Sequence, residues 1–161
     1  MALTPDIIEQ LARARADLRM GVPVVVTGDG AALILAAETL TPQRLADVLA
    51  LGGAPVLAIT ARRAETLKAR PYDGDLARLT LPVDASLSWV QAIADPADDL
   101  RSPMKGPLIS ARDGDALAHR AALALCKSAR LLPAAVVLPL EDAGTFAAQH
   151  ALTTLPLSRL A

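Results

Sequence analysis

The stretch RDGDALAHRAALALCKSARLLPAAVVL, Arg112–Leu138, decides how this chain folds. Asp113 and Asp115 flank Gly114 just ahead of a long apolar run, which sets acid at the positive end of an expected helix. Leu117, Ala121, Leu125 and Ala129 recur every four residues, and Ala118, Ala122 and Cys126 form a second apolar row beside them. His119, Arg120, Lys127, Ser128 and Arg130 interrupt, so more than half of the circumference is apolar and the helix is expected to be wedged between other layers. Pro133 cannot continue it, and Val136-Val137-Leu138 then reads as a strand buried on both faces. A buried helix feeding a buried strand across one proline is the centre of a layered α/β or α+β domain. The expected class is α+β, with a mixed sheet and this helix central to a single domain over residues 1–161.

The rest of the composition agrees with one well-filled core. The chain has 161 residues, 53% apolar and 20% charged, which excludes a disordered chain. Aromatic residues are only 2% (Tyr72, Trp89 and Phe146), so the core must be built from Leu, Val, Ile and abundant Ala through close backbone approach. A net charge of -1 with scattered Lys and Arg leaves no footprint for nucleic acid or an anionic membrane surface. One cysteine excludes an internal disulfide and fits a reducing cytoplasm. Asp6, Glu9, Arg13 and Arg15 break any secretory h-region, and no stretch is apolar enough to span a bilayer.

Outward from the central helix, the punctuation predicts the remaining elements. Thr4-Pro5-Asp6 opens a first helix with proline near its first turn, and Gly21 stops it. Val22–Val26 is a buried strand and Thr27-Gly28-Asp29-Gly30 a turn; Ala31–Ala37 fits either strand or helix, and pairing of Leu33-Ile34-Leu35 with Val24-Val25-Val26 favours the returning arm of a hairpin. Thr41-Pro42 starts a helix over Gln43–Leu51 that Gly52-Gly53 ends. Pro55–Thr60 is a further strand, Ala61–Ala69 a short helix and Leu76–Val83 another strand. Ser86–Pro107, cut by Asp95-Pro96, Ser102-Pro103 and Gly106-Pro107, is expected to be a mobile surface excursion. Leu108-Ile109-Ser110 would be a strand entering the central helix. Asp142–His150 is a last helix and Thr153–Leu157 a last strand or tail.

No residue cluster of clear catalytic type emerges from this pattern. Gly28-Asp29-Gly30 lacks the third glycine and the lysine of a phosphate-binding loop, and a turn requiring positive φ accounts for both glycines. His119 and His150 have no second ligand at helical spacing and are expected on helix surfaces. Cys126 reads as a small core residue, not a nucleophile. Asp95, Asp98 and Asp99 read as a solvated loop, with cation binding as the alternative. Asp84, after a strand and before Ala85-Ser86, is the most site-like single carboxylate, with a turn cap as its plainer role.

Taken together, several segments resemble 3,4-dihydroxy-2-butanone-4-phosphate synthase, a riboflavin-pathway enzyme acting on ribulose 5-phosphate. Gly21-Val22-Pro23-Val24-Val25-Val26 is similar to that family's Gly-x-Pro-Val-Val-Val strand. Leu33-Ile34-Leu35-Ala36-Ala37-Glu38, followed by Thr41-Pro42, is similar to its Leu-Ile-x-Ala-Ala-Glu segment and Thr-Pro-Glu helix start. Thr80-Leu81-Pro82-Val83-Asp84-Ala85 is similar to its Thr-Val-Ser-Val-Asp-Ala strand, and Ala121–Val137 to its central helix and strand. Phe146-Ala147 with His150-Ala151-Leu152 resembles its closing Phe-Ala-x-x-His-x-Leu. The resemblance is collinear over nearly the whole chain.

At the catalytic positions the likeness stops. The family's acidic loop, Arg-Glu-Asn-Glu-Gly-Asp, supplies a metal-binding glutamate; here its place is shortened to Thr27–Ala32, with neither arginine nor glutamate. The family's Gly-Arg-Gly-Leu-Ile-Cys falls on Leu51–Val56, without the arginine or the cysteine. Its Gly-His-Thr-Glu-Ala motif, which carries the metal-binding histidine, falls on Leu117–Ala121, where His119 is one place off and Arg120 stands at the glutamate. The resemblance therefore implies a degenerate domain with no catalytic residues, no metal ligands and no cofactor, its magnesium ligands lost. Asp29, Asp84, Arg112 and His119 are what remains of a vestigial pocket. It further implies a homodimer, and attachment as the N-terminal part of a longer GTP cyclohydrolase II chain, to which any activity would belong. The expected role is assembly or regulation in riboflavin biosynthesis. The alternatives are an altered phosphosugar-binding enzyme that uses those four residues, or a generic ligand- or protein-interaction module.

Overall fold

Two glycines with positive φ, Gly28 at 101° and Gly30 at 86°, turn the chain between its first two strands. The computed structural model describes residues 2–100 and 108–160, apart from the Asp98 side chain. In chain order the helices are α1 (Ile7–Arg19), α2 (Pro42–Ala50), α3 (Ala61–Thr66), α4 (Leu87–Ala94), α5 (Leu117–Ser128) and α6 (Ala143–His150). The strands are β1 (Val24–Thr27), β2 (Ala32–Ala36), β3 (Val56–Thr60), β4 (Leu76–Thr80), β5 (Ala134–Pro139) and β6 (Thr154–Pro156). They form one mixed sheet in the order β4-β3-β5-β2-β1-β6. Only β1 and β6 run parallel; the other neighbours are antiparallel. The expected hairpin forms, with Val24 opposite Ile34, Val25 opposite Leu33 and Val26 opposite Ala32, a register the sequence leaves open.

Both sheet faces are covered, which is why the strands read as unbroken apolar runs. Val24, Ile34, Ala58, Ala135 and Val137 point to a layer containing α1 and α5. Val25, Leu33, Leu57, Ile59 and Val136 point to the opposite layer of α2, α3, α4 and α6. On the first face α5 meets the sheet through Ala118, Ala121, Ala122 and Cys126, against strands bearing Ala32, Ala36, Ala58 and Ala135. Small residues on both sides let helix and sheet backbones approach closely and offset the scarcity of aromatics.

Several expectations need correction. Asp6 is the N-cap of α1, in a reciprocal pair with Glu9 at 2.8 and 3.0 Å, so Pro5 lies outside the helix. Seven of the twelve residues of α5 are buried, yet Leu117 is 50% exposed and Arg120, Ala124 and Lys127 continue its solvent-facing stripe. The helix therefore forms an outer layer and is not wedged between two. Its N-cap is Ala116 with no side-chain cap; Asp115 Oδ1 instead accepts from Leu117 N–H at 3.2 Å. Ser86–Ala94 is not irregular: Ser86 caps α4 by accepting from Trp89 N–H at 3.1 Å, and Val90 and Ile93 are fully buried. The Ser102-Pro103 and Gly106-Pro107 breakers lie outside the described residues. Leu108–Ser110 makes only one bridge, Ser110 to Leu79.

Candidate functional site

Asp29 sits at the exposed tip of the β1–β2 turn. That tip, the solvent-facing stripe of α5 and the turn Leu157–Arg159 enclose a groove of about 560 Å³. Gly28, Asp29, Leu117, Arg120, Ala124 and Leu160 are among its walls, which are mostly apolar. Arg120 is held by Asp75, which accepts from Nε at 2.7 Å and from Nη2 at 2.9 Å. Each partner strengthens the charged form of the other, so the Asp75 carboxyl lies below its usual range and the Arg120 guanidinium above its own. Both side chains are about half exposed, at 46% and 54%. Arg120→Ala is therefore expected to cost less than about 1 kcal/mol in urea unfolding, as exposed pairs do.

His119 faces away from that groove. It is 8% exposed, which corrects the expectation of a surface histidine, and Nδ1 has no hydrogen-bond partner. Beside it on β4 lies Arg78, 5% exposed. Arg78 donates through Nε and Nη2 to the two carboxylate oxygens of Asp73 at 2.8 and 3.1 Å, and through Nη1 to the Asp113 carbonyl at 2.7 Å. Burial first, then the Arg78 charge, pushes His119 down to about 4, against partial offsets from Asp73 and Asp115. His119 is accordingly a neutral imidazole at neutral pH.

The other sequence candidates are dispersed. Arg112 is exposed and stacks over the Tyr72 ring at 4.9 Å, and Asp84 is exposed in the turn after β4. His150 packs on Phe146, with ring centroids 4.5 Å apart, on α6 and hence across the sheet from His119. Asp95 caps a short 3-10 turn through Ala97 N–H at 2.9 Å, and Asp99 clasps Arg63 at 2.7 and 2.8 Å. Cys126 is buried with its thiol pushed up to about 12 by burial and, less, by Glu38, which suits a core residue. Among the described residues, no three His, Cys, Asp or Glu side chains stand together to hold a metal ion. Sequence reasoning missed the Arg78–Asp73 and Arg120–Asp75 pairs. The one available signal was Arg78 itself, a charge inside the apolar strand Leu76–Thr80.

No family model matches the chain. A structure of the Candida albicans 3,4-dihydroxy-2-butanone 4-phosphate synthase superposes with TM-score 0.68 at 19% identity, over 93% of this chain and 94% of that one. The fold is that of 3,4-dihydroxy-2-butanone 4-phosphate synthase. RibBX, a two-domain synthase from A. baumannii, matches at TM-score 0.64 and 17% identity, over 93% of this chain and 56% of its own. A synthase in complex with two magnesium ions matches at 0.63 and 17%, over 96% of this chain and 94% of that one. In sequence, the chain is 35% identical over 145 residues to GTP cyclohydrolase-2 of Azospirillum brasilense, covering 86% of this chain. It spans only 38% of that protein's length.

Among the described residues, the side chains around Asp29 are a poor donor set for the two magnesium ions that one of these synthase structures holds. Hard cations need several oxygen donors. The β1–β2 turn offers one exposed carboxylate, Asp29, and the α5 surface beside it presents the cation Arg120. His119 stands buried against a second cation, Arg78.

Proposed function

We propose that residues 1–161 form one 3,4-dihydroxy-2-butanone 4-phosphate synthase-like domain that has lost lyase chemistry and serves assembly or regulation in riboflavin biosynthesis. Its context is a longer GTP cyclohydrolase II chain, in which it is the N-terminal part, and it pairs with a second copy of itself. The observation that carries this reading is the pairing of a synthase fold with a site poor in carboxylates. Enolising a phosphorylated ketose needs a polarising cation and a base to take the proton. Here Asp29 stands alone at its turn, and Arg120, on the neighbouring face of α5, is tied to Asp75 in the bend before β4. Support for the cyclohydrolase context comes from the 35% identity to the Azospirillum protein.

The test is direct. Incubated with ribulose 5-phosphate and magnesium, the chain is expected to release no formate above a protein-free blank. Saturable formate production that is lost on Asp29→Asn would overturn the reading. Light scattering is expected to give twice the chain mass, and a monomer at micromolar concentration would remove the homodimer from it.

A further inference from the structure

Arg78 joins two loops at one edge of the sheet. Through Asp73 it holds the loop before β4, and through the Asp113 carbonyl it holds the segment 108–116. That segment also lies along β4 itself: Thr80 N–H donates to the Ile109 carbonyl at 2.8 Å and Ala111 N–H to the Arg78 carbonyl at 2.7 Å. It leads directly into α5, where His119 is buried with an unpartnered Nδ1. The charged groups that face His119 are Arg78 from β4, Asp73 from the loop before it, Asp115 from the segment and Arg120 from α5.

We propose that this cluster is an acid-sensitive latch: protonation of His119 releases the 108–116 segment from β4 while the sheet beyond it stays paired. An imidazolium placed here would be desolvated and would stand beside a guanidinium that cannot give up its proton. Release of the segment lets the ring reach water, where it titrates near the ordinary histidine value of about 6.5. With the segment in place, His119 is held down to about 4. The released form thus binds the extra proton, so falling pH favours release from about 6.5 downwards until the closed form itself titrates. Between pH 7.5 and pH 5 the release equilibrium is expected to shift about 30-fold.

Backbone amide exchange on the whole chain tests this. The Ala111 and Thr80 amides are expected to exchange through an opening easier than that of Val137 in β5. Their protection is expected to fall about 30-fold between pH 7.5 and pH 5. The Leu67 amide, at the end of α3 on the opposite face, is expected to keep its protection. In His119→Leu the pH dependence at Ala111 should vanish. The proposal is overturned if Ala111 and Thr80 exchange no faster than Val137, if their protection is independent of pH, or if His119→Leu shows the same fall. Should that variant not fold, titration of the wild-type His119 ring by NMR decides. A midpoint well below 6.5, with the protection of Ala111 falling from about pH 6.5 downwards, supports the latch, and an ordinary midpoint overturns it.

Discussion

Arg78→Leu is expected to destabilise the chain by about 3–5 kcal/mol, the usual cost of removing one partner from a buried ion pair. The Arg78 side chain is 6% exposed, and that of Asp73 only 12%. Without Arg78 the carboxylate is left in a poorly solvated position with no opposing charge, and the Asp113 carbonyl loses its donor. The double variant Arg78→Leu, Asp73→Leu is expected to recover most of the loss, because two apolar side chains of similar size leave nothing charged behind. Urea unfolding followed by the fluorescence of Trp89 measures both, the midpoint moving while the slope stays constant. A single-variant loss under about 1 kcal/mol would mean that water reaches the pair and that the site behaves as surface.

Gly21→Ala is expected to cost about 3 kcal/mol, from backbone strain and a collision acting together. Gly21 has φ +78°, and a Cβ there would lie 2.5 Å from the Thr39 carbonyl oxygen and 3.8 Å from Arg44 Nη1. The same spot ties the end of α1 to α2 and its approach. Arg44 Nη1 donates to the Gly21 carbonyl at 2.7 Å, and Thr39 Oγ1 donates to the Leu18 carbonyl at 2.5 Å. A shift to relieve the collision therefore disturbs the end of α1 and the approach to α2 at once. Gly74 supplies the control, with φ +85° and nothing within 4 Å of its Cβ position. Gly74→Ala should cost only about 1 kcal/mol, the conformational part alone. Equal losses at the two positions would show that the Thr39 contact is slack.

The sheet was legible because its faces are both covered. Continuous runs such as Val24-Val25-Val26 and Ala134–Leu138 can only be buried strands, and Gly28 and Gly30 fix the turn of the hairpin. The likeness to the synthase was legible for the same reason, since it rests on strands and helix starts. α4 was not, because Asp95-Pro96 and the breakers beyond it outweighed the short apolar row Val90, Ile93, Ala94. His119 was misread through helix rotation. An even apolar ring does not say which side faces water, and the exposed stripe runs through Leu117, Arg120 and Ala124, which turns His119 inward. Arg120 and Asp75, 45 residues apart, carry no local signal of their pairing. Charge pairs made across the fold are set by tertiary geometry, which no periodicity encodes.

The seam between α5 and the sheet has a consequence for how this chain tolerates change. Ala58, Ala122 and Ala135 have no exposed surface, and their methyl groups are the spacers between two backbones. Growth at such a position has nowhere to go except by prising the layers apart, whereas the charged rim can be rewritten at little cost. Sequence drift is thus channelled outward. A lineage could erase every ligand of an ancestral reaction from the loops and still inherit the same backbone, kept in place by residues too small to do any chemistry.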